Sequence, residues 1–256
     1  MESLLTTAKD ITIDHHPCPA PGGSVDLSKP RAAVLHTTEG SWESALSEFD
    51  THFAPHFLLG RDQHGETRIA QLIPLGQMAA SLENASGGVE TNAWAVAQIE
   101  MVGFSSTSPW LPADDVVDAL ASLMLTLRDE AGVPIERPFK DTMPRLPWAT
   151  TAFKRRKSGK WGTVAGWFGH VEVPENSHWD PGAIRWADIL ERCQELDAPA
   201  REPYLQVLAG RRGETKVVAE RKISEGGLED WLDTRRLVRT VQRHDDRVML
   251  RIRDHV

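Results

Sequence analysis

Cysteine is scarce in this sequence: the 256 residues hold two, Cys18 and Cys193, far apart and without C-x-x-C spacing. That excludes a disulfide scaffold, and two unpaired thiols are expected. Long apolar runs are also lacking. No segment approaches the ~18–20 residues that a membrane helix needs. The first thirty residues show no basic stretch followed by an apolar core, so no secretory signal is read and synthesis inside the cell is expected. Positive charge is in deficit, with 29 Lys+Arg against 37 Asp+Glu and a net charge of −8. This balance argues against a protein whose main task is holding nucleic acid phosphates. No fixed-period repeat is present, and 40% hydrophobic with 26% charged residues excludes disordered and collagen-like chains.

The charge is unevenly spread. Residues 201–256 carry 13 Lys+Arg and 10 Asp+Glu, whereas residues 1–200 carry 16 and 27. The shift coincides with Asp197-Ala-Pro-Ala-Arg-Glu-Pro203, whose prolines mark a linker. A domain over residues 1–200 and a small α+β module over residues 201–256 are therefore expected. In the module, residues 204–208, 216–223 and 248–252 read as strands and 228–241 as a helix.

In the larger part, Ser41 can cap a helix whose apolar positions Trp42, Ala45, Leu46 and Phe49 follow helical spacing. Asp114 or Asp115 opens a longer helix carrying Val116, Leu120, Leu123, Met124 and Leu127, stopped near Gly132 and Pro134. A third helix is expected over residues 183–196. Strand-like segments lie at 32–35, 56–59, 67–72, 93–102 and 164–169. Strands interleaved with helices predict an α/β fold, a central mixed β-sheet flanked by helices.

Most of the ten histidines, including His15, His16, His52, His64, His244 and His255, sit in polar or terminal contexts and read as surface residues. Two differ. His36 directly follows the apolar strand Ala32-Ala33-Val34-Leu35, and His170 directly follows Trp167-Phe168-Gly169, so each falls at a strand end where its ring can face a cleft. Asp180 lies in the turn His178-Trp179-Asp180-Pro181-Gly182. Two imidazoles and a carboxylate are a common ligand set for catalytic Zn²⁺ with an open fourth position. An open site of that kind suits hydrolysis of an amide or ester. The spacing is not H-E-x-x-H, and two histidines with an aspartate occur in most sequences, so spacing alone leaves zinc open. Glu100 sits in the mostly apolar Ala97-Gln98-Ile99-Glu100-Met101. It is either a buried carboxylate that moves a proton or an edge-strand residue facing solvent.

Taken together, Leu35-His36-Thr37-Thr38, Pro55-His56-Phe57-Leu58-Leu59-Gly60, Gln71-Leu72-Ile73-Pro74, Ile99-Glu100, Gly169-His170 and Asp180-Pro181-Gly182 stand in a familiar order. In that order the sequence resembles the type 2 zinc N-acetylmuramoyl-L-alanine amidases. These share their fold with peptidoglycan recognition proteins, and many bacteriophage endolysins carry it. The resemblance covers roughly residues 30–196. It implies Zn²⁺ bound by His36, His170 and Asp180, with Glu100 as the catalytic glutamate that assists water at the lactyl-amide carbonyl. It implies peptidoglycan as partner, and action on the cell wall after release by another agent. A histidine, His178, stands where that branch commonly has an oxyanion-binding lysine. Met78-Ala79-Ala80-Ser81 replaces a Trp-His-Ala-Gly stretch of the substrate groove. Asn92 matches the family's asparagine, and His56 matches a groove-side or structural histidine. Arg155 and Lys157 belong to a run of five cations within residues 154–160 that could attract stem-peptide carboxylates or anionic wall polymers, or be a solvated loop. Trp161, Trp167 and Trp179 read as core. A muropeptide-binding module without catalysis and a cytoplasmic amidase recycling wall fragments are the alternative functions. The role of residues 201–256 is open, with wall or particle attachment among the possibilities.

Overall fold

In the unit Met1–Asp197, seven strands form one mixed sheet: β1 (Thr7–Ala8), β2 (Ile11–His15), β3 (Ala32–Thr37), β4 (Phe57–Arg61), β5 (Thr67–Gln71), β6 (Ala95–Met101) and β7 (Gly166–Gly169). Their order is β1-β2-β5-β4-β6-β3-β7. This computed structural model describes residues 3–20, 22–51, 54–105, 111–139 and 159–198, and strands at 204–209, 216–222, 238–244 and 247–252. Strands β4, β6, β3 and β7 run parallel, while β4 and β5 are antiparallel. Parallel strands are covered on both faces, which is why β3 reads as the unbroken apolar run Ala32-Ala33-Val34-Leu35 and all six of its residues are buried.

Alternation along β3 and its neighbours separates two cores. Ala33, Leu35, Ile99, Met101 and Trp167 point into one cluster with helix α2 (Asp114–Ala131) and helix α3 (Trp186–Asp197). Ala32, Val34, Phe168 and Leu58 point to the other face, where Leu58 packs with helix α1 (Trp42–Phe49). Each fully buried leucine of α2, such as Leu120 or Leu127, contributes about 2–3 kcal/mol by leaving water. Gly132 ends α2 in a left-handed conformation (φ 73°), and its N–H reaches back to the Arg128 carbonyl. Ser41 caps α1 through a reciprocal pair with Ser44.

The α/β fold and mixed sheet agree with expectation. Strands β1 and β2 were not foreseen, and the third helix starts at Trp186, three residues later than its pattern suggested. The interior place of β6, between β3 and β4, removes the solvent-facing edge position considered for Glu100. Both cysteines are unpaired.

The unit Ala198–Val256 contains β8 (Tyr204–Ala209), β9 (Lys216–Lys222), β10 (Val238–His244) and β11 (Arg247–Ile252). They form a four-stranded sheet in the order β10-β11-β8-β9. The helix expected over 228–241 is corrected at its C-terminal end. Val238, Thr240 and Val241 are β-branched, and the segment pairs antiparallel with β11. Residues 228–237 lie outside the described residues.

Candidate metal centre

Register brings the site together. In the parallel β3–β6 pair His36 lies beside Glu100, so both side chains project to the α1 face of the sheet. In the β3–β7 pair Leu35 lies beside Gly169, which sets His170 next to His36 at the carboxyl ends of neighbouring strands. In open α/β sheets that edge is where ligand crevices form. The turn bearing Asp180 is drawn in by the Val171 N–H, which donates to the Asp180 carbonyl (2.9 Å). Gly169 permits this approach: a Cβ there would stand 2.8 Å from Cδ of Pro181.

His36, His170 and Asp180 are all buried, and one donor atom from each falls within 4.8 Å of the others. His36 Nδ1 is 3.0 Å from His170 Nδ1. His170 Nδ1 is 3.2 Å from Asp180 Oδ1, and His36 Nδ1 is 3.7 Å from Asp180 Oδ2. Donors held ~2.0–2.1 Å from one tetrahedral ion stand roughly 3.3 Å apart, so the His36–His170 separation and that from His170 to Asp180 Oδ1 fit a cation of zinc's size. The second oxygen of Asp180 is already occupied, accepting from the Thr37 N–H (3.1 Å).

The protonation pattern fits as well. His170 Nε2 lies 2.8 Å from Asn176 Oδ1, and the Asn176 amide is oriented by donating to the Glu83 and Pro174 carbonyls. Its oxygen therefore faces His170, whose Nε2 carries the hydrogen and whose Nδ1 presents a lone pair to the site. Burial, with His170 adding to it, pushes His36 well below the usual imidazole range. A neutral ring carries one hydrogen. On Nε2 that hydrogen has no acceptor among the described residues, because Nε2 is buried and unpartnered there, and two Nδ1 lone pairs then meet at 3.0 Å. A cation at the three donors relieves that opposition. Burial works against ionised Asp180, yet the adjoining His170 and His36 rings and the Thr37 N–H outweigh it and bring the carboxyl down to about 2.

Glu100 reaches the same point, its Oε1 3.7 Å from His36 Nδ1. Its Oε2 is buried without a partner among the described residues. Burial first, then the charges of Asp180 and Glu39, drive its pKa well above the usual carboxylate range. Glu39, in the loop after β3, accepts from the Ser105 N–H and hydroxyl (2.9 and 2.5 Å) and so ties the two loops flanking the site.

These groups open into a cleft of about 650 Å³ between α1 and the segment 80–83. Glu39, Glu48, Glu83, Glu100 and Asp180 line it, and no Lys or Arg among the described residues does. His178 stands at its rim, the side chain 57% exposed, Nδ1 3.6 Å from Asp180 Oδ1 and the ring stacked 4.9 Å from that of His170. Trp179 stacks on His178 and lines the cleft. The core position expected for Trp179 is therefore corrected, whereas Trp161 and Trp167 are buried.

His56 and Asn92 do not line the cleft. His56 is fully buried: Nδ1 accepts from the Gln98 N–H and Nε2 donates to the Gln77 carbonyl, both at 3.0 Å. With both ring nitrogens used it is the structural histidine of the two readings, not the groove-side one. Asn92 is buried and bonds Leu82 through N–H and carbonyl (3.2 and 2.8 Å), while Gln98 holds the Ser81 N–H (3.0 Å). Both support the cleft wall at 80–83 from behind. Arg155 and Lys157 lie outside the described residues.

Asn176, Glu39 and Gln98 were not singled out from the sequence. Each acts through a backbone or side-chain partner remote in sequence, and none sits in a local pattern that marks it.

No protein-family model matches the sequence, and no curated protein matches it. Among solved structures the chain is similar to "Endolysine N-acetylmuramoyl-L-alanine amidase LysCS" from Clostridium intestinale URNW. The identity is 12%, with a TM-score of 0.41 over 72% of this chain and 95% of that one.

Proposed function

We propose that residues 1–200 are a zinc-dependent amidase domain that hydrolyses the bond between N-acetylmuramic acid and L-alanine in peptidoglycan stem peptides, as a cell-wall lytic enzyme of the endolysin kind. The observation that carries this reading is the buried convergence of His36, His170 and Asp180 on one point, with the unpartnered Glu100 oxygen beside it at the base of an open cleft. His36 and His170 through Nδ1 and Asp180 through Oδ1 would hold Zn²⁺, which when bound polarises a carbonyl and acidifies water.

The remaining work falls to the chain's own groups. Glu100 takes a proton from the attacking water and passes it to the leaving nitrogen, a role suited to a carboxyl whose affinity for protons is raised by burial. His178, exposed at the rim where substrate can reach it, donates to the oxygen on which charge develops. Asn176 keeps His170 in the tautomer that leaves Nδ1 bare. The cleft between α1 and residues 80–83 is open enough to admit an extended glycopeptide. Residues 201–256 are proposed as a separate module of unassigned role.

The test is incubation of zinc-loaded protein with purified sacculi, followed by labelling of new amino termini. Appearance of N-terminal L-alanine, abolished by chelation and restored by zinc, supports the reading. No new L-alanine termini from the zinc-loaded protein overturns it.

A further inference from the structure

A second set of ligand-type side chains converges at the C-terminal end of α1, on residues that do not themselves line the cleft. His16 and Cys18 follow β2, and Asp50 caps the C-terminus of α1. One donor atom from each lies within 4.8 Å of the others. His16 Nε2 is 2.8 Å and Cys18 Sγ 3.7 Å from the same oxygen, Asp50 Oδ1.

The backbone carrying the pair is anchored. The His16 and Cys18 N–H groups donate to the Gln71 and Leu72 carbonyls (3.0 and 3.1 Å), continuing the sheet edge beyond β2. Residues two apart on such a segment project to one side, which is how the imidazole and thiol both meet Asp50. Asp50 adds a negative charge at the negative end of a helix whose last turn holds no basic residue, a position where a cation is favoured.

We propose that His16, Cys18 and Asp50 form a second divalent-cation site, distinct from the buried centre, taking Zn²⁺ through imidazole, thiolate and carboxylate with its fourth position open to solvent. A sulfur donor selects against Mg²⁺ and Ca²⁺, which prefer all-oxygen shells. The thiol proton is released to solvent as the sulfur ligates. The cation clips the segment after β2 to the end of α1, whose Glu48 and Phe49 line the cleft, so its effect is on the stability of that wall. Without a cation the His16–Asp50 contact is a surface hydrogen bond, with side chains 39% and 53% exposed, and such exposed contacts add little.

Metal-stripped full-length protein is titrated with Zn²⁺ and separately with Co²⁺. Wild type is expected to bind two ions per chain, while Cys18→Ser and Asp50→Asn each bind one. Cobalt is expected to give thiolate charge-transfer absorption in wild type and in His36→Ala, and none in Cys18→Ser. The other thiol, Cys193, is fully buried and does not compete. Zinc is also expected to raise the thermal midpoint of His36→Ala but not of a His36→Ala/Cys18→Ser double variant. Equal stoichiometry in wild type, Cys18→Ser and Asp50→Asn, or no thiolate absorption at cobalt saturation, overturns the site. Loss of the buried centre alone leaves it standing, because His36→Ala isolates it.

Discussion

His170 Nε2 and Asn176 Oδ1 stand 2.8 Å apart, and the amide side of Asn176 is committed to two backbone carbonyls. Toward His170 it is therefore an acceptor only, and it decides which nitrogen of His170 faces His36. Replacing Asn176 by Ala frees the ring to rotate or change tautomer. Zinc affinity of Asn176→Ala is expected to fall by about 10–100-fold, measured by competition with a chromophoric chelator. Unchanged affinity in a folded variant would remove Asn176 from this role.

The two imidazoles were legible in the sequence because each follows an apolar run that could only be a buried strand, and a strand's end is where a ring can turn outward. Asn176 was not legible: its partner is six residues away across a turn, and its second partner, Glu83, comes from another part of the chain. His56 shows the converse. Its Pro-x-Phe setting marked it, but only the distant Gln77 and Gln98 reveal a ring walled in on both sides. In the C-terminal unit, helical spacing over 228–241 competed with the β-branched content of Val238, Thr240 and Val241, and pairing with β11 decided the outcome, a contact local periodicity does not contain.

Gly169 is required by the proximity of Pro181 rather than by its own conformation. Gly169→Ala places a methyl 2.8 Å from the Pro181 ring and must push the Asp180 turn away from His170. A stability loss of about 1–3 kcal/mol together with weaker zinc binding is expected, read by denaturant unfolding and metal titration. A variant that binds zinc as wild type does would show that the turn can yield without moving Asp180.

Burial lowers the pKa of His56 from 6.5 to about 4. The unfolded chain therefore binds more protons than the folded one between those values, so this group's contribution to stability is full above pH 6.5 and is lost as pH falls towards 4. At about 1.4 kcal/mol per unit the loss amounts to about 3 kcal/mol. His56→Asn lacks this titration. The difference in unfolding free energy between wild type and variant should shrink as pH falls from 6.5 to 4, then level off. A difference independent of pH would contradict a neutral buried ring.

Arg137 and Glu172 form a buried ion pair at 2.8 Å, their side chains 3% and 1% exposed, directly behind His170. Glu172 also accepts from the Gly169 N–H (2.8 Å), and Arg137 lies over the Trp186 ring. Glu172→Ala strands a buried guanidinium, and a cost of about 3–5 kcal/mol is expected. The double variant Arg137→Met/Glu172→Leu should recover much of it, as chemical denaturation would show. A double variant no more stable than the single one would indicate that the pair is irreplaceable for packing as well as charge.

The most direct measurement is mass spectrometry of the fragments released from purified peptidoglycan by zinc-loaded wild type, with zinc-loaded Glu100→Gln in parallel. Intact stem peptides beginning with free L-alanine, together with glycan chains bearing unsubstituted lactyl carboxylates, are expected from wild type and should be lost with Glu100→Gln although the metal stays bound. Cleavage at a glycosidic or internal peptide bond, no cleavage by metal-loaded wild type, or full activity in Glu100→Gln would contradict a centre built from His36, His170, Asp180 and Glu100 for this amide bond.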